Sequence, residues 1–315
     1  MATITNPFQG YVLYSVETSY STPPSKGTAY VSDVILDAKI STGDMQKPIW
    51  GISQPSLYTY ISQPSDYTLH LEWVSQATTK SLATACINRW GGLLGGAISG
   101  DLPSLEFMIC NNSKATGGTA AKTYVKVKGA KNKSITYTAK RGEAIIWSAD
   151  FSVASVITST TLPVGYSLKK YQSLASLNST RSKHKGLAVF NNAGSITKTG
   201  GTSALITDSL TFTLNNGVTD LWNCTNKWKR NSKAGTQKIT GSCDWSFEDG
   251  GKVALDEVIA NTILTTIRID TGMPGRYASF TLNQCRWKNT DLDINLENNA
   301  MITPVPFQAQ SITVI

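Results

Sequence analysis

Two tryptophan pairs, Trp50 with Trp73 and Trp222 with Trp245, are separated by the same number of residues, and what surrounds each pair recurs in the same order. Each pair brackets a polar stretch rich in Pro or Lys that reads as a long hairpin loop, and each is followed by a segment of helical spacing and an apolar strand. The tails match as well. Lys133 to Ser155 and Asn289 to Ser311 each carry a strand, a turn, an alanine (Ala144, Ala300), a phenylalanine equally far on (Phe151, Phe307) and a serine. A supersecondary unit used twice restricts a fold more than any local propensity. The sequence therefore predicts a tandem duplication, with a first domain at 1–157, a linker at 158–185 and a second domain at 186–315. A chain of 315 residues is long enough for about two domains with cores of their own. The linker, Thr158 to Lys185, exceeds an ordinary connection, so part of it is expected to pack on the domains or on a neighbour.

Within each copy the dominant period is that of strands. Tyr67, Leu69, Leu71 and Trp73 alternate with Thr68, His70 and Glu72, and Leu210 to Leu214 and Phe280 to Leu282 behave alike. Leu292, Ile294 and Leu296 alternate with Asp291, Asp293, Asn295 and Glu297, giving one apolar and one acidic side. Helical spacing is rarer. Leu255, Val258 and Ile259 around Asp256 and Glu257 predict a short amphipathic helix at 252–262. Ser81 to Trp90 predicts another, with Thr78 and Thr79 as caps and Gly91-Gly92 as a stop. The expected class is mainly β, a β-sandwich or barrel with one flanking helix per domain.

Composition narrows the setting. Hydrophobic residues make up 40% and charged residues only 16%, which describes a folded chain whose surface is polar more than ionic. Apolar stretches such as Gly91 to Ile98 and Leu102 to Cys110 are far short of the roughly 20 residues that span a bilayer, so no membrane anchor is expected. Met1 to Tyr11 has neither the basic start nor the apolar run of a secretory signal, which predicts folding in the cytoplasm of the producing cell. The five cysteines form no CxxC and are odd in number, hence the expectation of buried free thiols. A net charge of +8 permits nucleic-acid contact without requiring it. The basic clusters, Lys122, Lys126, Lys128, Lys131, Lys133, Lys140 and Arg141, then Lys169, Lys170, Arg181, Lys183, His184 and Lys185, are expected mostly on solvated faces and loops.

The signatures of catalysis are missing. His70 lies in an alternating strand and His184 in a Lys-rich loop, neither at metal-ligand spacing, so each is expected as a lone exposed imidazole. Gly91 to Gly96 lacks the context of a phosphate-binding loop and reads as a turn. Asp291 and Asp293 fall on one strand face within about 7 Å of each other, and are expected to be solvated or to face a subunit. No serine sits in a Gly-x-Ser-x-Gly elbow. The expectation is a protein that is not an enzyme, with no cofactor and no metal.

Ser209-Leu210-Thr211-Phe212-Thr213-Leu214-Asn215-Asn216, then Gly241-Ser242-Cys243-Asp244-Trp245-Ser246-Phe247, the predicted helix and Val305-Pro306-Phe307-Gln308-Ala309 resemble the tail tube proteins of long-tailed bacterial and archaeal viruses, relatives of the tubes of contractile secretion systems. The first half shares the resemblance only through the internal correspondence. It implies a structural virion protein whose sheets join between neighbours into a barrel around a channel, with long hairpin loops and terminal arms reaching the next ring. Carried onto this chain, the loops are Gly51 to Asp66 and Asn223 to Lys238, with Tyr58, Tyr60, Trp228, Lys229 and Arg230 as contacts between rings. Such loops are expected to order only on stacking. Phe307, Ile312 and Val314 belong to an apolar C-terminal strand expected to pair in the assembly. Asp291, Asp293 and Glu297 are the possible channel face, although a chain this basic departs from the usually acidic channel of that family.

A ring of six domains would need three chains, stacked into a tube in the virion tail. Implied partners are further copies of itself, tape-measure and tail-terminator or baseplate proteins, and viral DNA passing without specific binding. Alternative roles are a baseplate, head-completion or capsid protein, or an adhesive or carbohydrate-binding β module.

Overall fold

The structure is a computed structural model. It describes residues 11–22, 34–43, 46–50, 57–62, 65–74, 82–89, 100–113, 121–140, 143–160, 195–199, 207–223, 226–246, 257, 259–260, 263–273, 276–288 and 302–314. The first half contains β1 (Tyr11–Val16), β2 (Val34–Thr42), β3 (Gln46–Trp50), β4 (Leu57–Ser62), β5 (Tyr67–Val74), α1 (Leu82–Ile87), β6 (Leu105–Ser113), β7 (Ala121–Lys140), β8 (Ile146–Val153) and β9 (Ser155–Ser159). The second contains β10 (Ser195–Thr199), β11 (Thr207–Asn215), β12 (Thr219–Asn223), β13 (Asn226–Lys233), β14 (Lys238–Ser246), β15 (Ile263–Met273), β16 (Arg276–Trp287), β17 (Ile302–Ala309) and β18 (Ser311–Val314). This is a mainly β protein with almost no helix.

Fourteen strands form one antiparallel sheet, which runs β10-β15-β16-β17-β14-β11-β7-β8-β5-β2, while β3–β4 and β12–β13 stand as separate hairpins. The pairings recur from half to half. β2 pairs β5 as β11 pairs β14, β5 pairs β8 as β14 pairs β17, and β6 and β9 flank β7 as β15 and β18 flank β16. Irregularities recur too. The β2·β5 ladder slips between Ile35 and Asp37 opposite Trp73, and the β11·β14 ladder slips between Thr207 and Ser209 opposite Trp245. Both hairpins slip where a tryptophan pairs, Trp50 with Leu57 and Trp222 with Lys229. A bulge adds an unpaired residue and bends its strand, so a bulge at matching places keeps matching strand shapes.

One ladder has no counterpart within a half. β11 pairs with the free edge of β7, from Ser209↔Lys140 through Phe212↔Tyr137 to Asn215↔Ser134, and so carries the sheet from one half into the other.

β7 serves two sets of partners. Ala121 to Ala130 runs against β6 and β9, and the remainder against β8 and β11. Gly129, at φ +62°, marks the turn between them, and a Cβ there would stand 2.6 Å from the Cβ of Ala154. Only glycine takes that conformation without strain.

The core is one continuous cluster of side chains from both halves. Alternation explains its make-up: Leu69, Leu71 and Trp73 of β5, Ile135, Tyr137 and Ala139 of β7, and Leu210, Phe212 and Leu214 of β11 all point inward. Phe107 meets Phe151 edge-on at 5.2 Å, Tyr137 stacks on Phe212 at 5.1 Å, and Phe280 of the second half sits 5.1 Å from Trp147 of the first.

Some expectations change here. Ser81 to Trp90 gives α1, but of the helix at 252–262 only Glu257 and Ile259, both helical, and Ala260 are described. The strand at 291–297, the linker from residue 161 on and the basic residues from Lys169 to Lys185 lie outside the described residues. Two lysines expected in solvent are buried instead. Lys126 lies 3.2 Å from Glu106, and Lys131 2.6 Å from Asp101, because both side chains are buried at their places on β7 and a buried cation must be paired. Cys86, Cys110, Cys243 and Cys285 are buried free thiols, and burial pushes the Cys285 thiol up to about 12.

Candidate functional site

The surfaces able to act are the outer face of the long sheet, the seam where the halves join, and the edges left open. On the outer face the alternation that buries Leu and Phe turns hydroxyls outward: Thr68, Ser148, Thr136, Thr138, Thr211 and Thr213 are half-buried. Thr136 and Thr213 meet across the seam, Oγ1 to Oγ1, at 2.9 Å. Lys39, Lys140 and Lys238 share this face with Asp37, Glu72, Asp150 and Asp244, so charges of both signs nearly balance. His70 is not a lone imidazole. Its Nδ1 is 2.7 Å from Asp150 Oδ1 and its Nε2 3.8 Å from Glu72, since pairing of β5 with β8 sets His70 opposite Asp150.

The seam is closed at one end by buried amides. Asn216, fully buried, donates through Nδ2 to Asn132 Oδ1 at 2.8 Å and to the carbonyls of Asn132 and Cys86 at 3.3 Å. Its own carbonyl oxygen accepts from Gln237 Nε2 at 3.0 Å, and Gln237 also donates to the carbonyl of Ile87. The C-terminal end of α1 is thereby tied to the second half, and each amide satisfies groups that burial would otherwise leave costly.

The hairpin β12–β13 crosses onto the first half and fastens there. Lys229 Nζ, buried, lies 2.6 Å from Asp66, 3.0 Å from Asp220, 2.8 Å from Ser152 Oγ and 3.4 Å from the carbonyl of Tyr67. Asp220 accepts further bonds from Ser152 and Ser232 at 2.6 and 2.7 Å. Burial alone would raise the Asp220 carboxyl, but those hydroxyls and the Lys229 ammonium outweigh it and hold the group below its ordinary range. Trp228 stacks on Tyr67 at 5.9 Å, and Tyr20 OH meets Ser232 at 3.0 Å. At the turn, Ala234 N donates to Asp101 at 3.1 Å and the Arg89 guanidinium donates to the carbonyl of Gly235. A buried ion set of this kind holds only while every member is present.

Of the residues singled out in the sequence, Lys229 and Trp228 are thus engaged inside their own chain, and Arg230 is exposed beside them. Of the stretch 223–238, expected to order only on stacking, residues 226–233 pair with β12 in the single chain, and Lys229 fastens the hairpin to the first half. On β4, Tyr60 lies opposite Pro48 of β3, and Tyr58 falls at the slip between the pairs Ile49–Thr59 and Trp50–Leu57. Phe307 is buried beneath β14, Ile312 packs on the core from β18, and Val314 pairs with Phe280. Asp291, Asp293 and Glu297 lie outside the described residues. Sequence reasoning missed Asp66, Ser152 and Asp220. Their polarity signals nothing alone, and only the docking of β12–β13 assembles them.

Two features remain open. β2 is the last strand of the sheet, and its bulged Leu36 is 54% exposed. On the second half, Ile259 and Ile263 are 74% and 48% exposed. Among the described residues no helix is long and apolar enough to cross a membrane, and no group of three or more His, Cys, Asp or Glu side chains is placed to hold a metal ion. No protein-family model matches the chain, and no curated protein matches it.

Proposed function

We propose that this chain is a structural subunit that builds a closed ring from copies of itself, and that stacked rings form the tail tube of a virus through which DNA passes. The observation that carries the reading is the seam. β11 fills the edge of β7, and β2, which pairs β5 as β11 pairs β14, ends the strand order of the sheet among the described residues. A strand edge offers unpaired N–H and C=O groups to another chain. Two tandem domains of one sandwich type, joined head to tail, leave at the chain's two ends the same two surfaces that meet at its middle. Repeating the contact between chains gives a ring if the rotation closes, and three chains supply six domains.

The outer sheet face then lines the channel. Threonine hydroxyls and balanced charge give a hydrated wall without a concentrated phosphate-binding patch, the property a conduit for DNA needs. The balance is that of the described residues; Asp291, Asp293 and Glu297, the acidic face that the resemblance implies, lie outside them. Contacts between stacked rings fall to Arg230 and the rest of the hairpin tips, and tape-measure, terminator or baseplate proteins cap the stack within the virion.

Negative-stain microscopy and native mass measurement over a range of concentrations test the reading. Rings of three chains with pseudo-six-fold outline, stacking into tubes, are expected. Rings of six chains, or a protein that stays monomeric throughout, would overturn it.

A further inference from the structure

We propose that the hairpin β3–β4 of one copy seats on the second half of the next copy, in the place that β12–β13 occupies on the first half, and that this seat is apolar where the internal one is ionic. The inference rests on the ring reading above and adds the contact that locks neighbouring chains.

The two hairpins correspond through their shared slip, which matches Leu57 with Lys229 and Trp50 with Trp222. The surfaces they would cover correspond as well. Ser152 pairs with Lys131 on β7, and Gln308 pairs with Arg286 on β16. The next turn is fixed alike in both halves, Ala154 N to the carbonyl of Lys128 and Gln310 N to the carbonyl of Asn283, each at 3.0 Å. Gln308 is thus the counterpart of Ser152. Ile259 follows Trp245 at the distance that Ile87 follows Trp73, which makes it the counterpart of Ile87.

On the first half, the seat is covered. Ser152 lies under Lys229, and Ile87, 3% exposed, ends the helix that Asn216 and Gln237 grip. On the second half, the matching positions are bare: Gln308 is exposed, and Ile259 is 74% exposed with Ile263 close by at 48%. An exposed isoleucine at the position that is closed in the other half marks a surface that another element covers. The occupant is a second copy of this chain, because its β3–β4 carries the complementary chemistry. Lys229 and Asp220 of the docked hairpin are matched by Leu57 and Pro48, and β3 and β4 hold Ile49, Trp50, Tyr58, Tyr60 and Ile61 without one carboxylate. Lys238, the counterpart of Asp66, would meet no anion there and stays at the rim. The outer edge of β2 and exposed Leu36 lie on the same half as β3–β4, so edge and hairpin reach the neighbour together.

The test adds cysteines at Leu57 and Gln308, separately and together, to a chain carrying Cys224→Ser, whose other four cysteines are buried, and treats assembled protein with a short bismaleimide. A lysine's length separates these backbones by more than a disulfide spans. The Leu57→Cys, Gln308→Cys chain should give covalent dimers and trimers on a denaturing gel, and the single variants should give none. In parallel, Ile259→Asp should leave the dilute monomer folded, since the side chain is mostly in solvent, yet weaken ring formation roughly tenfold or more. Rings that form without the cross-link, or that tolerate Ile259→Asp, would overturn the seat and leave the ring reading intact. Absence of any ring from the unsubstituted chain would overturn both.

Discussion

β2 and β11 make a controlled comparison within one molecule. Each pairs antiparallel with the strand that follows its hairpin, each slips opposite a tryptophan, and each precedes a hairpin with a second slip. β11 is nevertheless an interior strand and β2 a terminal one. The difference lies outside the strands themselves: β11 finds β7 of its own chain, and no described strand pairs with the outer edge of β2. Composition follows position. The inward side chains of β11, Leu210, Phe212 and Leu214, are fully buried, whereas Ala38 and Ile40 of β2 are only partly so, and Asp37 and Lys39 charge the outer face of the open strand. Charges on an edge discourage indiscriminate pairing while allowing a partner that answers them. One strand geometry thus occurs once inside the sheet and once at its end.

The comparison breaks most severely at the docked hairpin. Lys229→Ala should destabilise the chain by about 3–5 kcal/mol, because Asp66 and Asp220 are left without their cation. The matched change Leu57→Ala should leave the unfolding midpoint of dilute protein nearly unmoved and act on assembly. Denaturant titration of both variants checks this, and equal losses would mean that the two hairpins are equivalent after all.

A pH titration separates the halves next. Glu17, buried against the bend of β7, accepts from Gly129 N and Ser21 N at 2.9 and 2.8 Å, yet burial dominates and raises its carboxyl from 4.5 to about 7. The folded state then holds a proton that the unfolded chain releases. Its contribution is complete below pH 4.5 and is lost as pH rises through about 7, a change of about 3 kcal/mol. Glu17→Gln should flatten that limb and be the more stable protein at pH 8. Asp220 acts with opposite sign: its lowered carboxyl stabilises above the ordinary aspartate range and fails as pH falls below it. A stability curve unchanged by Glu17→Gln would remove the buried acid from the account.

Smaller effects sharpen the seam. Asn216→Ala should cost about 1–3 kcal/mol by stripping partners from Asn132 and Gln237. Tyr137 OH is buried with no hydrogen-bond partner, in a nest of Phe212, Trp147 and Phe280, and burial pushes its ionisation up. Tyr137→Phe should therefore leave thermal unfolding unchanged or raise stability by up to about 1 kcal/mol. A clear loss would show that the hydroxyl has a role.

Alternation made the inward faces of β5 and β11 legible, and equal spacing of tryptophans pointed to an order of elements that repeats. Both are local signals that survive without knowledge of partners. The seam was not legible. Nothing in Leu210-Thr211-Phe212-Thr213-Leu214 says which edge it meets, because period 2 reports the face of a strand and is silent about its sides. Lys229 misleads for a related reason. Among Lys227, Arg230 and Lys233 it reads as part of a loop that contacts the next ring, and its burial depends on Asp66 and Ser152, which approach only after the halves have joined. Lys126 and Lys131 hid as well, paired with Glu106 on the preceding strand β6 and with Asp101 just before it.

The wide sequence gap between the seam's partners has a consequence in time. The edge of β7 is complete at Lys140, but Asn215, the last residue of β11, is still to be made. At about 5–20 residues per second, a ribosome exposes that edge for roughly 4–15 s before its own cover arrives. On a crowded messenger, β11 of a chain further ahead competes for the same edge and would yield a swapped pair whose halves are each correctly built. Slow translation between residues 140 and 207 lengthens that interval, and fast translation shortens it. The pace of synthesis is therefore a variable in how many chains leave the ribosome as monomers.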